Sequence, residues 1–271
     1  MSPTILLFGA GNMGFAMLRG WLTQGSEIDV HVVEPFADFR ERAQSAGAHA
    51  VSSAAELAET LRPDLVVLAV KPQMVASVLT ECSGLAERQA AFLSLAAGVR
   101  LATMQAALGQ PAPFIRCMPN TPAAIGEGML VLCAAAEVPQ SVRHLAETLM
   151  AVSGAVAWID DEALMDAVTA ISGSGPAYVF HFIEALAEAG RRLGLPDETA
   201  ELLAKQTVAG AGRMAQDTMT TPTLLREQVT SPNGTTQAAL SVLMHDGALT
   251  ELMFRAATAA RDRGVELGRE G

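Results

Sequence analysis

The sequence predicts an α/β domain with a parallel sheet, followed by an all-helical domain. Up to residue 159, short apolar or β-branched runs alternate with helical patterns, which is typical of strands joined by covering helices. From residue 160 onward the strand signal disappears, and apolar residues recur with the 3.6-residue period of helices. We therefore expect two domains, at 1–159 and 160–271.

The predicted elements follow from these patterns. Strands are expected at 4–8, 29–33, 65–70, 91–95, 114–117, 129–133 and 155–158. Helices of the first domain are expected at 15–22, 38–46, 74–79, 101–108 and 140–151, with one more opened by a capping box at 53–56. Helices of the second domain are expected at 174–193, 197–217, 224–229, 235–244 and 248–264.

A glycine-rich motif follows the first predicted strand. Residues 9–14 have the spacing G-x-G-x-x-G and open a helical pattern. In such a turn the first glycine permits the tight bend, the second lets the backbone approach a pyrophosphate, and the third allows close packing of helix and sheet. The N–H groups at the helix start attract phosphates. An unliganded structural turn is the alternative, but the context favours dinucleotide binding by Gly9, Gly11, Asn12, Met13 and Gly14.

An acidic residue follows the second predicted strand. Glu34 lies 20 residues after Gly14, where dinucleotide-binding domains place the acid that accepts hydrogen bonds from the ribose. A carboxylate there repels the 2′-phosphate of NADPH, whereas Arg40 and Arg42 are close enough in sequence to pair with it. Both arginines belong to a predicted helix rather than to the strand end. We therefore expect Glu34 to dominate and NADH to be favoured.

Composition limits the partners of the chain. Its 271 residues carry a formal net charge of −11, which argues against nucleic acid and anionic membranes, because both bind basic surfaces. Cys82, Cys117 and Cys133 are too few and too scattered for a disulfide framework or a zinc site. No apolar run is long enough for a transmembrane helix, and the N-terminus lacks the features of a signal peptide. We expect a cytoplasmic protein without a metal.

Three further segments are rich in glycine, proline and hydroxyl residues, namely 118–126, 172–176 and 231–236. The first follows a predicted strand, so it lies at the sheet edge where α/β folds bind ligands. The third opens a helix with Thr235 and Thr236, and such a helix end holds a small carboxylate without a basic side chain. Each segment taken alone also fits an ordinary turn or cap.

Five stretches resemble the pyrroline-5-carboxylate reductases, the enzymes of the last step of proline synthesis. These stretches are residues 8–14, 69–73, 116–122, 170–178 and 229–232. The resemblance implies a Rossmann-type N-terminal domain that binds NAD(P)H, and a helical C-terminal domain that forms an intertwined dimer, often within a ring of dimers. The broad apolar faces of the predicted C-terminal helices independently indicate self-association. Further dinucleotide contacts are implied for Val70, Lys71, Pro72 and Asn120.

For the substrate, the resemblance implies that residues 231–236 hold the carboxylate through backbone N–H groups, with Thr236 near the ring nitrogen of a cyclic imine. Thr236 is thus the expected catalytic residue, and the expected substrate-binding residues are Ser174, Ser231, Asn233, Gly234, Thr235 and Thr236. The chain departs from the family at Asn233, where the family usually has glycine. Asparagine tolerates a left-handed backbone, so we expect the loop to keep its shape.

We expect NAD(P)H-dependent reduction of 1-pyrroline-5-carboxylate to L-proline, and two alternatives remain open. Another imine reductase or a β-hydroxyacid reductase would share the two-domain plan. The hydroxyacid class would be favoured by a catalytic lysine on the first interdomain helix, and residues 166–171 contain none. A regulatory nucleotide-binding module without catalysis would need no second small-molecule site. For Tyr178, contact with the site and core packing are equally compatible with the sequence.

Overall fold

The computed structural model describes residues 2–23, 28–216 and 219–270. They form two compact units. The first runs to Ser174 and also contains the segment that starts at Ala260, while the second is Gly175–Ala259. The first unit therefore extends beyond the domain end expected at 159, and it also includes the C-terminal segment that starts at Ala260.

One sheet forms the centre of the first unit. Its strands are β1 (Thr4–Phe8), β2 (Asp29–Val33), β3 (His49–Val51), β4 (Leu65–Leu68), β5 (Ala91–Ser94), β6 (Phe114–Met118), β7 (Gly128–Ala134) and β8 (Gly154–Trp158). Within the described residues the order is β3-β2-β1-β4-β5-β6-β7-β8. All neighbouring pairs are parallel except β6 and β7, which are antiparallel. The predicted strands are confirmed, whereas β3 was not among them.

Helices cover both faces of this sheet. The helices of this unit are α1 (Asn12–Thr23), α2 (Ala37–Ser45), α3 (Val75–Glu81), α4 (Ser83–Ala86), α5 (Leu101–Leu108), α6 (Gln140–Ala151) and α7 (Met165–Val168). Alternate side chains of β1 point to opposite faces. Ile5 and Leu7 share a core with α1 and α6, whereas Leu6 and Phe8 share one with α3 and α5. Burial on both faces explains why the central strands are apolar throughout.

The second unit is helical. Its helices are α8 (Gly175–Arg192), α9 (Asp197–Ala215), α10 (Pro222–Gln228), α11 (Thr235–Leu243) and α12 (Ala248–Glu270), and the last residues of α12 belong to the first unit. The predicted end of α9 at 217 lies outside the described residues. Across the described ranges, no helix combines the length and apolar character needed to cross a bilayer.

One local prediction was wrong. The capping box at 53–56 opens only a 3₁₀ turn (Ala54–Glu56), because the hydroxyls of Ser52 and Ser53 donate to the Glu56 carboxylate and Ser53 does not cap the backbone. These hydrogen bonds also lower the pKa of Glu56. The helix predicted to start at 174 is confirmed as α8 (Gly175–Arg192). A π-helical turn, Thr169–Gly173, precedes it, and the Ser174 N–H closes that turn by donating to the Thr169 carbonyl (2.8 Å).

Candidate active site

The glycine loop joins β1 to α1 at the carboxyl edge of the sheet. Gly9 has φ +90°, and a Cβ there would lie 2.8 Å from the carbonyl oxygen of Ala69, which follows β4. A Cβ at Gly14 would overlap the Gly9 carbonyl oxygen. By contrast, apart from Gly11 and its chain neighbours, no atom of the described residues lies within 4 Å of the Cβ position at Gly11. Two glycines therefore allow close packing, and the third leaves open space in front of the loop, as a bound pyrophosphate requires.

Helix α1 begins at Asn12 directly after this space, and its first intrahelical bond runs from Phe15 N to the Gly11 carbonyl (2.9 Å). The N–H groups at its start thus have no helical partner and are available for an anion. Asn12 and Met13 line a cavity of about 400 Å³ along this helix. The cavity is completed by Phe15, Ala16, Arg19, Arg42, Thr121 and Ala124.

Glu34 follows β2 and is only 3% exposed. Its carboxylate accepts hydrogen bonds from the N–H of Ala10 (2.7 Å) and the N–H of Phe36 (2.9 Å). The acid therefore lies beside the glycine loop, as expected from its spacing, and binds the loop backbone directly.

Arg42 is a residue near this loop whose structural role the sequence did not reveal. Its Nη2 donates to the carbonyl oxygen of Ala10 (2.7 Å), and its guanidinium carbon lies 4.0 Å from the centre of the Phe15 ring and 5.0 Å from that of Phe39. The sequence offered an arginine on a helix, but no local pattern that places the side chain on a loop more than 30 residues away.

Val70, Lys71 and Pro72 follow β4, the strand beside β1. A methyl carbon of Val70 lies 3.2 Å from the Cβ position of Gly9. Lys71 precedes a short 3₁₀ turn, Pro72–Met74, and its side chain is exposed. Because β1 and β4 are parallel, these residues lie at the same sheet edge as the glycine loop.

Asn120 follows β6 and connects three elements. Its Nδ2 donates to the Ser172 carbonyl (3.0 Å) in the π-helical turn, and its Oδ1 accepts from the N–H of Met129 on β7 (2.9 Å). A Cβ at Gly173 would lie 2.5 Å from the terminal carbon of Met118. The segment 118–120 and the π-helical turn are thus packed closely together, and Ser174 stands at the end of that turn.

Arg116 and Glu162 form a largely buried ion pair that the sequence analysis did not identify. Arg116 is 5% exposed, and its Nη1 lies 2.7 Å from Oε1 of Glu162. The same carboxylate oxygen accepts from the N–H of Leu101 at the start of α5 (2.7 Å). The available signal was an arginine within the otherwise apolar strand Phe114–Met118, since such a charge needs a buried partner.

The segment 231–236 lies in the second unit and opens α11. Asn233 adopts φ +58°, so the asparagine occupies the left-handed conformation that glycine favours. The Gly234 N–H donates to the Ser231 carbonyl (3.1 Å), and Gly234 precedes the helix. The first helical bond runs from Ala238 N to the Gly234 carbonyl (3.2 Å). The N–H groups of Thr235 and Thr236 therefore lack helical partners, as an anion site requires.

Gln237 stabilises this loop. Its Oε1 accepts a hydrogen bond from the N–H of Asn233 (2.5 Å), which is the loop residue with the left-handed backbone. This contact resembles a capping box, in which a side chain in the first helical turn bonds backward to the chain entering the helix. The sequence feature that could have revealed this contact is a glutamine in the first turn of the predicted helix.

Tyr178, His181 and Glu184 of α8 form fewer contacts than the groups described above. The Tyr178 hydroxyl is buried and has no hydrogen-bond partner among the described residues. His181 and Glu184 are 3.0 Å apart on the exposed surface of α8. In the part of the chain that the structure describes, no group of three or more histidine, cysteine or acidic residues is arranged to hold a metal ion.

Comparison with protein families gives two matches. Residues 162–267 match the family described as pyrroline-5-carboxylate reductase dimerisation. Residues 4–98 match the family described as NADP oxidoreductase, coenzyme F420-dependent. The first match covers the helical part of the chain, and the second covers the glycine loop, Glu34 and the β4 edge.

Individual relatives align over nearly the whole chain. It is 41% identical over 271 residues to the pyrroline-5-carboxylate reductase of Pseudomonas aeruginosa, covering 99% of this chain and 98% of that protein. It is 37% identical over 262 residues to the same enzyme of Arabidopsis thaliana, covering 96% and 93%.

Solved structures of the same family also resemble this chain. The Coxiella burnetii pyrroline-5-carboxylate reductase has a TM-score of 0.92 at 39% identity, covering 98% of this chain and 99% of that one. The Plasmodium falciparum enzyme with NADP bound has a TM-score of 0.79 at 28% identity, covering 98% of each chain. An imine reductase of Myxococcus stipitatus, at 20% identity and a TM-score of 0.53, shows the fold alone. From its relatives along the full length, this chain belongs to the pyrroline-5-carboxylate reductases.

Proposed function

We propose that this chain reduces 1-pyrroline-5-carboxylate to L-proline with NADH or NADPH, in the last step of proline synthesis. The observation that carries the proposal is its similarity over nearly the full length to named pyrroline-5-carboxylate reductases. The glycine loop supports it, because Gly9 and Gly14 allow close packing while Gly11 leaves the space that a dinucleotide needs. The dinucleotide would be held by this loop, Glu34, residues 70–72 and Asn120.

When bound, the dinucleotide would supply a hydride to the carbon of the C=N bond. The N–H groups of Thr235 and Thr236 hold the substrate carboxylate at the start of α11, where the helix dipole favours an anion. Thr236 orients the ring nitrogen through its hydroxyl, and Ser174 contributes a further contact. When the imine arrives protonated, transfer of one hydride completes the amine, so no strong general acid is required. The family of the chain supports this reaction better than it supports a regulatory function or a hydroxyacid-reductase function.

The role of Thr236 is tested by substitution. Thr236→Ala removes the hydroxyl beside the imine, and loss of such a hydrogen bond lowers kcat/KM by about tenfold to a hundredfold. Thr236→Ser keeps the hydroxyl and is expected to retain kcat/KM within about threefold of the unmodified enzyme. Steady-state oxidation of NADH and NADPH with 1-pyrroline-5-carboxylate measures both variants. A folded Thr236→Ala enzyme with unchanged kinetics would remove Thr236 from the site.

We further infer that NADH is the preferred reductant. Glu34 places a buried carboxylate beside the glycine loop, and its charge disfavours a 2′-phosphate. Arg40 does not offset that charge at the carboxylate, because its Nη1 donates to the carbonyls of Glu34 (2.9 Å) and Pro35 (3.0 Å). The same kinetic assay decides the matter, since a higher kcat/KM with NADPH than with NADH contradicts this role of Glu34.

A second copy of the chain is the partner we infer for the helical unit. The match of residues 162–267 to the dimerisation family supports this inference. The large apolar residues that the unit leaves exposed support it as well. We infer a dimer as the basic assembly, with a ring of dimers as the larger form. The cytoplasmic location stays a prediction, supported by the three cysteines, which are free and buried.

A further inference from the structure

We propose that Arg42 is a positioning residue for the dinucleotide, acting through the backbone of the glycine loop rather than through contact with the ligand. The inference rests on the proposed use of NADH or NADPH. It concerns affinity for the dinucleotide, which can be measured without the imine substrate.

The first support is the hydrogen bonding around Ala10. On one side, Arg42 donates from Nη2 to the Ala10 carbonyl oxygen (2.7 Å). On the other side, the Glu34 carboxylate accepts from the Ala10 N–H (2.7 Å). The carbonyl and the N–H of Ala10, at the centre of the turn, are therefore each held by a charged side chain. Arg42 belongs to α2, and Glu34 follows β2.

The planarity of the peptide bond makes this contact directional. In a trans peptide the C=O of one residue and the N–H of the next point in opposite directions. Because Arg42 fixes the Ala10 carbonyl, it also fixes the direction of the Gly11 N–H, which points away from the guanidinium. No backbone carbonyl of the described residues accepts a hydrogen bond from the Gly11 N–H, so this group is available to a phosphate oxygen.

The guanidinium itself is held in place. It lies 4.0 Å from the Phe15 ring centre on α1 and 5.0 Å from the Phe39 ring centre on α2, distances typical of cation–π contacts. Its Nε is buried and has no hydrogen-bond partner among the described residues. A planar cation held between two rings presents Nη2 to Ala10 in one orientation, so the loop carbonyl has a rigid donor.

The alternative is direct pairing of Arg42 with a phosphate of the ligand, and the two roles differ in measurable ways. Pairing with a 2′-phosphate would strengthen NADPH binding alone. Pairing with the pyrophosphate would strengthen both ligands, but salt would weaken the effect by screening. Orientation of the loop through a hydrogen bond affects both dinucleotides equally and persists in salt, because the contact is within the protein.

The experiment measures the Kd of NADH and of NADPH from nicotinamide fluorescence, at 0.05 and 0.5 M KCl, for the unmodified enzyme and for Arg42→Gln. We expect Kd to rise about tenfold for both dinucleotides at both salt concentrations, as follows from loss of a hydrogen bond from a charged donor. The kcat at saturating dinucleotide is expected to stay within about twofold.

Two further variants serve as controls. Arg42→Lys keeps a charged donor and is expected to recover most of the affinity. Arg88→Gln also removes a guanidinium that donates to a carbonyl, that of Leu61 (3.2 Å), but away from the glycine loop, and is expected to leave both Kd values unchanged. If Arg42→Gln does not fold, Arg42→Met, which keeps the aliphatic stem and removes every donor, takes its place and is expected to show the same loss for both dinucleotides at both salt concentrations.

For Arg42→Gln, a loss confined to NADPH, a loss that disappears in 0.5 M KCl, or unchanged affinity in the folded protein overturns the positioning role. Failure of the unmodified protein to bind either dinucleotide overturns the proposed function and, with it, the role of Arg42. Binding without turnover of 1-pyrroline-5-carboxylate would contradict only the proposed reaction.

Discussion

The two units differ in how much apolar surface a single chain buries. In the first unit, residues such as Leu7, Leu93 and Trp21 are fully buried around a sheet covered on both faces. Within the described residues of the second unit, only Ala187, Ala200 and Ala204 are buried. All three are small, and they mark where helices approach one another closely.

The difference lies in where the large apolar residues of the second unit are. Phe180 is 59% exposed, Leu202 67% and Phe254 65%. A monomeric protein rarely exposes so many large apolar side chains, and such surfaces mark contacts with other chains. The comparison therefore indicates that the first unit obtains its stability from its own core, whereas the second obtains a large part of it from association. The stability of the second unit then depends on protein concentration.

The largest expected effect is the protection of buried thiols from chemical labelling. The thiols report on the first unit alone, because Cys82, Cys117 and Cys133 all belong to it. Burial raises the pKa of Cys82 to about 12 and raises the pKa of Cys117 as well. Since only the thiolate reacts, we expect labelling of Cys82 by a disulfide reagent at pH 8 to be about a thousandfold slower than in guanidinium. Mild denaturant should dissociate the subunits before any thiol reacts. Thiol reaction that precedes dissociation would reverse the order of stability assigned to the two units.

The next effect comes from a charge on the exposed apolar surface of the second unit. Phe254→Glu would place a carboxylate in the subunit contact, where its desolvation costs several kcal/mol. We expect sedimentation to show monomers, and activity at micromolar concentration to fall about a hundredfold. The control is Ala102→Glu, on an exposed position of α5 in the first unit, which should leave sedimentation unchanged. An assembled and active Phe254→Glu enzyme would contradict a contact at this residue.

The smallest effect is the dependence of the unmodified enzyme on dilution. For a dimer, each tenfold dilution removes about 1.4 kcal/mol of stability, so Tm should fall by a few degrees. Leu93→Ala, in the core of the first unit, should lower stability by about 3 kcal/mol at every concentration. Calorimetry over a hundredfold concentration range separates the two. A Tm independent of concentration would show that association contributes little to stability.

Patterns within a single element were predictable from the sequence. Helix α6 runs over Gln140–Ala151 as its 3.6-residue pattern predicts, and the glycine loop follows β1 as its spacing predicts. The φ of +58° at Asn233 confirms that asparagine can replace glycine in the loop before α11.

Features that depend on contacts between distant segments were not predictable. The π-helical turn Thr169–Gly173 packs against Met118 and Asn120, and no helical pattern encodes that contact. The antiparallel pairing of β6 with β7 depends on the short turn Thr121–Ile125 rather than on strand composition. Arg42 reaches Ala10 only because α2 packs beside the glycine loop. The sequence therefore predicted the residue types of the candidate site better than it predicted the contacts that hold those residues in place.

The return of the segment from Ala260 to the first unit has a consequence for how the protein can be divided. The second unit is inserted between two stretches of the first, so no single cut separates an intact copy of either. One of the two crossings lies inside α12, and the other lies between the π-helical turn and α8. At the far end of α12, the Cβ position of Gly268 is 3.0 Å from the Gly98 carbonyl oxygen, just beyond β5. Truncation before Ala260 would therefore remove packing from the dinucleotide-binding unit, although the deleted residues are far from it in sequence.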